Sequence, residues 1–101
     1  MYEYPTKEEF AGQLQTPFEL QLETGESLQL VMTELREGIS TPRQEAFSLT
    51  FRGPELPYLA QCSYPLRHAV FGAIDIFIVP IGRDEQGINY EAVFNRFTTG
   101  G

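Results

Sequence analysis

The sequence predicts a mainly all-β domain, namely a small antiparallel β-barrel or sandwich of about six strands with one short N-terminal helix. Apolar and polar residues alternate with a period of two over most of the chain, as in half-buried strands. Turn-forming residues separate these segments, and no segment of helical periodicity lies between them. The 101 residues suit a single domain over 1–101. Closure into a barrel is favoured because a small open sheet would expose long edges.

The chain divides into three segments, which are a short helix over 6–14, the barrel over 17–97 and a tail over 98–101. Thr6 and Glu9 have the spacing of a capping box, in which each residue satisfies a backbone N–H of the other. Phe10 and Leu14 lie four residues apart and therefore share one face of the helix.

The first hairpin begins at Phe18 and turns at Gly25. Its return strand places three apolar residues on one face: Leu28, Leu30 and Met32. Leu35 has the other parity, which predicts a β-bulge near Thr33. Two further strands are predicted outside the hairpins, one with Phe47, Leu49 and Phe51 inward and a last one over 88–97.

A second hairpin is predicted with a three-residue loop over 70–72 and Gly72 in the left-handed conformation. This register forms three inner pairs: His68 with Ile74, Leu66 with Ile76, and Tyr64 with Ile78. On the other face it sets Arg67 opposite Asp75, a favourable cross-strand ion pair. A four-residue loop would instead set Leu66 against Asp75 and bury a carboxylate beside apolar groups.

Composition excludes two classes of partner. Fourteen acidic and seven basic residues give a net charge of −7, so the chain lacks the positive surface that binds nucleic acid or anionic membranes. No apolar run reaches the roughly 18 residues that a spanning helix needs, and the N-terminus does not resemble a signal peptide. A single cysteine cannot form an internal disulfide, so the cytoplasm is the default compartment. An extracellular or assembly-associated location stays open.

The candidate catalytic groups are Cys62 and His68, the only cysteine and the only histidine. Six residues of strand would separate them by about 20 Å, too far for a nucleophile and its base. Cys62 is therefore predicted to be a small buried residue. We interpret His68 and Asp75 as a pair at the hairpin end, because no motif places a Ser or Thr nucleophile beside them. No catalytic residue and no enzymatic activity are predicted.

No metal or cofactor site is predicted. One histidine and one cysteine cannot supply the usual zinc ligands. Asp84, Glu85 and Glu91 lack the alternating spacing of a calcium-binding loop. The glycines stand singly at turns and do not form a phosphate-binding loop.

A corner is predicted at Arg52-Gly53-Pro54, where Gly53 permits a reversal of the backbone. The residues that follow are too apolar for a free loop: Leu56, Tyr58 and Leu59. We predict that these three side chains fold over one end of the barrel as a plug. A ligand-binding mouth at the same end is the functional alternative.

Three blocks carry a resemblance to a known family: Phe51-Arg52-Gly53-Pro54, Val79-Pro80-Ile81-Gly82 and Tyr90-Glu91-Ala92-Val93-Phe94-Asn95. With these blocks the chain, from Phe10 to Asn95, resembles an uncharacterised family of small bacterial domains. The family has no established activity, so the resemblance assigns no catalytic residue. It associates the chain with tail-fibre or collar-like proteins of phage-derived systems, which implies an assembly role. The chain departs from the family pattern at Cys62, where a glycine is usual, and in its ending over 96–101.

The leading functional hypothesis is a non-enzymatic β-barrel that contacts a protein partner or further copies of itself in a larger assembly. The candidate interface lies on the strand over 73–81, where Phe77 and Val79 point outward. Two covers for these side chains are considered, the N-terminal helix through Phe10 and Leu14, or a partner subunit.

Two other functions stay open. A small-ligand-binding barrel would use the end covered by Leu56, Tyr58 and Leu59. A conjugated modifier or carrier would use Gly100-Gly101, the Gly-Gly ending of ubiquitin-like proteins. Those folds place a long helix directly after the first hairpin, whereas this sequence predicts a loop and a strand there.

Overall fold

The computed structural model describes residues 5–38, 41 and 44–97. These residues form one helix and six strands: α1 (Lys7–Ala11), β1 (Pro17–Gln21), β2 (Ser27–Glu37), β3 (Gln44–Gly53), β4 (Cys62–His68), β5 (Gly72–Asp84) and β6 (Gly87–Phe97). All neighbouring strands are antiparallel and close into a barrel in the order β1-β2-β3-β6-β5-β4. The predicted fold class is confirmed, and the barrel form is the one adopted. The tail over 98–101 lies outside the described residues.

The barrel interior is filled by the side chains that alternation predicts to face inward. β3 buries Phe47, Leu49 and Phe51. β5 buries Ile74, Ile76 and Ile78. The pairing of β2 with β3 shifts register between Met32 and Glu34, so the predicted β-bulge at Thr33 is confirmed. Leu35 consequently packs against the core although its parity is opposite to that of Met32.

Helix α1 closes one end of the barrel. The predicted capping box is confirmed: Thr6 Oγ1 accepts the Glu9 N–H at 3.0 Å, and the Glu9 carboxylate accepts the Thr6 N–H at 2.8 Å. The helix ends at Ala11, earlier than predicted. Phe10 is fully buried. Its ring centroid lies within about 6 Å of three other rings: Phe71 at 5.2 Å, Phe94 at 5.5 Å and Phe47 at 6.0 Å.

The β4–β5 hairpin has a register two residues away from the predicted one. The observed inner pairs are His68 with Gly72, Leu66 with Ile74 and Tyr64 with Ile76. The turn occupies residues 69–71 because Nδ1 of His68 accepts the backbone N–H groups of Val70 at 3.0 Å and Phe71 at 3.3 Å. Gly72 follows the turn in the predicted left-handed conformation, with φ of 72°.

The predicted ion pair of Arg67 with Asp75 is wrong as a result. Arg67 lies opposite Ala73, and Asp75 lies opposite Pro65. A shift of two residues leaves every side chain on its own face of the sheet, since the strand repeats every two residues. The hydrophobic pattern therefore could not distinguish the two registers.

Candidate functional site

The outward side chains of β2, β3, β6 and β5 form one continuous surface, which we call the outer face. Strand pairing arranges the centre of the outer face in two rows, each with one residue from β2, β3, β6 and β5 in that order. The first row is Val31, Arg52, Asn89 and Gly82. The second row is Glu34, Thr50, Glu91 and Val79. Val93 on β6 and Phe77 on β5 follow two residues beyond the second row, on the same side of their strands.

Among the described side chains of the outer face, three large apolar ones are exposed to solvent. The exposed fraction is 50% for Phe77, 53% for Ile81 and 63% for Val93. Val79 lies between Phe77 and Ile81 on β5 and is half-buried. Phe77 and Val79 thus point outward, as predicted. Ile81 and Val93 were not singled out from the sequence, although the same alternation places them outward.

Helix α1 does not cover this apolar cluster. Phe10 is buried inside the barrel end, so it is not an interface residue, and its predicted contact with the outward side of β5 is wrong. Leu14 lies beyond the end of α1 and is itself 38% exposed. The physical reason is that complete burial of a phenylalanine ring among three aromatic rings stabilises the fold more than partial burial of that ring against one exposed strand.

A groove of about 330 Å³ crosses the outer face beside Ile81, and we call it the outer-face groove. Seven polar residues line it: Thr33, Glu34, Arg36, Thr50, Arg52, Asn89 and Glu91. Arg36 and Glu34 form an ion pair, with 3.3 Å between Nε and Oε2. Nε of Arg52 is buried and has no hydrogen-bond partner, an arrangement that costs stability in the isolated chain. This groove was not predicted from the sequence.

Asp84 fixes one edge of the outer-face groove. Its Oδ1 accepts the backbone N–H of Gln86 at 2.8 Å, and its Oδ2 accepts the Asn89 amide at 3.1 Å. These hydrogen bonds, with a smaller contribution from the positive charge of Arg52, hold the pKa of Asp84 below its ordinary value. Asp84 therefore stays ionised near neutral pH and keeps the Asn89 side chain oriented.

The other end of the barrel is closed by one of the three predicted side chains. Leu59 is buried, and its N–H donates to the hydroxyl of Tyr90 at 3.0 Å. Leu56 and Tyr58 are 79% and 60% exposed, so the prediction that they plug the barrel is wrong. Leu59 and the ring of Tyr90 already fill the interior there, which leaves no room for two further large side chains.

Leu56 instead lines a second cavity, which we call the barrel-end groove. It has a volume of about 620 Å³ and lies between the β1–β2 turn and the segment after β3. Its apolar lining consists of Leu22, Leu28, Pro54, Leu56 and Pro57.

The corner predicted at Arg52-Gly53-Pro54 starts only at Pro54, two residues later than expected. Arg52 and Gly53 are still part of β3, where Gly53 pairs with Ile88 of β6. Gly53 is not among the residues with a left-handed backbone, so a reversal at Gly53 is wrong. A side chain at position 53 would be crowded for a different reason: its Cβ atom would lie 2.6 Å from Cδ2 of Leu30, so the Leu30 side chain would have to shift. The chain leaves the strand at Pro54.

His68 is a structural residue of the barrel end. Its Nδ1 accepts two backbone N–H groups of the β4–β5 turn, and its Nε2 lies 2.8 Å from Oγ1 of Thr16. Because the Thr16 hydroxyl donates to the Gln13 carbonyl, Nε2 carries the proton and His68 is neutral. Asp75 is exposed on the opposite side of the sheet, so the predicted pair of His68 with Asp75 does not form.

We expect the folded protein to lose stability as the pH falls below about 6.5, the ordinary pKa of histidine. Burial lowers the pKa of His68 in the folded state, so between the two pKa values only the unfolded chain binds the proton. Denaturant unfolding across this range would show the decline in wild type and a smaller one in His68→Gln. Equal pH profiles for both proteins would contradict this assignment.

Cys62 is exposed, so its predicted burial is wrong. β1 pairs with β4 only at Leu66 and Arg67, and no strand therefore shields the start of β4 on that side. Cys62 and His68 stand at opposite ends of β4, which agrees with the rejection of a catalytic dyad.

We expect Cys62→Ser to change the free energy of unfolding by less than about 0.5 kcal/mol, since the thiol fills no cavity. Wild-type Cys62 should react with a thiol reagent in the folded protein as fast as a small exposed thiol does. Protection of the thiol until unfolding would contradict its exposed position.

The ranges 5–38 and 44–97 offer neither a cluster of metal ligands nor a membrane-spanning helix. No group of three His, Cys, Asp or Glu side chains in these ranges is placed to hold a metal ion. Nor does this part of the chain contain a helix that is long and apolar enough to cross a membrane.

Comparison with known proteins places the chain in a family. No curated protein and no solved structure matches it significantly. The sequence profile of the family described as "Domain of unknown function (DUF6916)" matches residues 5–94. That range includes every described helix and strand from α1 to β5 and most of β6. The resemblance found from the sequence motifs is thereby confirmed, and the chain belongs to the DUF6916 family.

Proposed function

We propose that the protein is a non-enzymatic β-barrel module that acts through protein–protein contact. It would serve as a subunit or accessory of a larger assembly, of the fibrous or phage-tail-like kind. The observation that carries the proposal is the apolar cluster of Phe77, Ile81 and Val93, each at least half exposed. These side chains stand on paired strands of a closed barrel, and protein interfaces are built from large apolar side chains on such rigid surfaces.

The reactive side chains support a binding role over a catalytic one. Both ring nitrogens of His68 are engaged in holding the β4–β5 turn and Thr16. Cys62 stands at the other end of the same strand. A nucleophile and a base within hydrogen-bond reach of each other are what catalysis by these groups would need.

Phe77→Lys tests the proposal. We expect the unfolding transition of the monomer to stay nearly unchanged, because half of the Phe77 ring is already in water and the ammonium group can reach solvent. Association should be lost, because a charge would enter the buried centre of the contact. Sedimentation velocity of wild type and variant over a range of concentrations measures this directly.

Val70→Lys is the matched control. Val70 is 64% exposed in the β4–β5 turn, away from the outer face, and the same charge is introduced there. This variant should sediment as wild type does. If wild type associates and Phe77→Lys leaves both the melt and the sedimentation unchanged, the outer face is not the contact surface and the proposal fails.

A small-ligand-binding barrel is the second candidate, favoured by the barrel-end groove. The exposed side chain of Leu56 and two prolines give that groove an apolar wall beside the β1–β2 turn. Titration with 1-octanol, followed through the amide resonances of residues 55–60, should then show saturable shifts that Leu56→Ser abolishes. Shifts that are absent, or that persist in Leu56→Ser, would eliminate this candidate.

The modifier or carrier alternative has the least support. Gly100-Gly101, on which it depends, lies outside the described residues. The element that follows the first hairpin is the strand β3, where ubiquitin-like folds place a long helix.

A further inference from the structure

We infer that the partner of the outer face is a second copy of this chain, packed with two-fold symmetry so that Arg52 of each copy binds Glu91 of the other. The inference rests on the proposed function and names the partner for that same surface. Three features of the outer face support it: two charged groups without an intramolecular ion pair, a local balance of charge, and a ridge beside a hollow.

Arg52 and Glu91 line the same groove but do not pair with each other. Among the described residues, the ion pairs join Lys7 to Glu8 and Glu37, Arg36 to Glu34, and Arg83 to Glu55. Nε of Arg52, moreover, is buried without any acceptor. The buried Nε cannot be reached from outside, but Arg52 lines the open groove, where the terminal nitrogens of a guanidinium can bind an approaching carboxylate. Arg–carboxylate pairs are the preferred form of such contacts.

The distribution of charge favours a second copy at this face. Two chains with a net charge of −7 repel each other over most of their surfaces. The outer-face groove is balanced, with Arg36 and Arg52 against Glu34 and Glu91. A face with equal numbers of positive and negative groups is repelled least by the same face of a second copy. Across a two-fold axis, the positive groups of one copy can then lie opposite the negative groups of the other.

The geometry of the strands supplies a suitable axis. Arg52 lies on β3 and Glu91 on the neighbouring β6, and the two strands pair along their whole length from Gln44↔Phe97 to Gly53↔Ile88. A two-fold axis that runs along the β3–β6 seam sets β3 of one copy over β6 of the other. Arg52 of one copy then lies over Asn89 of the other, and Glu91 lies two residues, or about 7 Å, further along β6, within reach of these two long side chains. The contact occurs twice, once on each side of the axis, as an isologous contact requires.

The shape of the face fits the same arrangement. Ile81 projects beside the groove, and Gly82 next to it contributes no side chain. The axis along the β3–β6 seam sets β5 of one copy over β2 of the other, so Ile81 faces the side of the groove formed by Thr33 and Glu34. The Ile81 side chain of each copy can therefore pack into the outer-face groove of the other copy.

Charge reversal tests the contact. We expect Arg52→Glu and Glu91→Arg each to raise the dissociation constant of the dimer at least about tenfold, because like charges then meet twice. Arg67→Glu and Glu19→Arg are matched controls that make the same changes of charge on exposed positions of β4 and β1. Both controls should associate as wild type does in sedimentation velocity.

Mixing the two single variants is the decisive step. In a mixed dimer the two substituted side chains would face each other with opposite charges, and the unchanged Arg52 would face the unchanged Glu91, so both contacts are restored. We expect the mixture to sediment as a dimer although neither variant does so alone. If circular dichroism shows that Arg52→Glu does not fold, the series wild type, Glu91→Gln and Glu91→Arg should show progressively weaker association.

The outcomes separate this inference from the proposed function. If Phe77→Lys dissociates the wild-type assembly but charge reversal at Arg52 and Glu91 does not, the inference fails and the proposed function stands. If each variant is monomeric and the mixture of the two does not form a dimer, the reciprocal contact of Arg52 with Glu91 is wrong. If wild type is a monomer at every concentration, a second copy is not the occupant.

Discussion

Gly87→Ala should lower the free energy of unfolding by about 3 kcal/mol, as measured by denaturant unfolding. Gly87 opens β6 with φ of 138°, a conformation that side-chain-bearing residues rarely adopt. A Cβ atom at this position would overlap the carbonyl oxygen of Gly53, which belongs to the neighbouring strand β3. An unfavourable backbone conformation and a steric clash thus act together where β6 begins beside the end of β3.

Gly82→Ala is the control within the same hairpin. Gly82 has no left-handed φ, and a Cβ atom there would meet nothing within 4 Å. Alanine should therefore be neutral or stabilise by up to about 1 kcal/mol, because it restricts the unfolded chain. If Gly87→Ala unfolds at the same denaturant concentration as Gly82→Ala, the close approach of β3 and β6 is not as described.

Phe10→Ala should lower the free energy of unfolding by about 3–5 kcal/mol, a large part of the stability of a domain of this size. The Phe10 ring is fully buried among Phe47, Phe71 and Phe94, and its removal leaves a cavity that the rigid barrel end cannot fill. Thermal or denaturant unfolding measures the loss.

Leu14→Ala tests whether the effect is specific to the barrel end. Leu14 was predicted to share a helix face with Phe10, but it lies beyond α1 and is 38% exposed. Its truncation should cost less than about 1.5 kcal/mol. Equal losses for the two variants would mean that Phe10 does not close the barrel.

Local sequence patterns were sufficient to predict much of the fold. Alternation identified the inward faces of β3 and β5, and the change of parity at Leu35 located the bulge at Thr33. The capping box followed from Thr6 and Glu9 alone. These features depend on residues close in sequence, whose geometry is set by the repeat of the strand or by the first turn of the helix.

Features that depend on distant residues were missed. The position of Phe10 is decided by rings from three other elements, Phe47, Phe71 and Phe94. The exposure of Cys62 follows from the short pairing of β1 with β4, which no pattern along β4 reveals.

The candidate site was predicted only in part. The outward positions of Phe77 and Val79 follow from alternation on one strand. The outer-face groove requires the strand order, because β2 and β5 are brought to its two sides by β3 and β6 between them. Arg52 was placed at a corner from the sequence, whereas its Nε lies buried in the floor of that groove.

The dependence of the amide NMR spectrum on protein concentration tests the central claim, that copies of the protein contact each other through the outer face, most directly. With rising concentration, we expect the resonances of Phe77, Ile81 and Val93 to shift or broaden, while that of Val70 in the β4–β5 turn stays unchanged. Changes confined to other surfaces, or a spectrum independent of concentration throughout, would contradict the account.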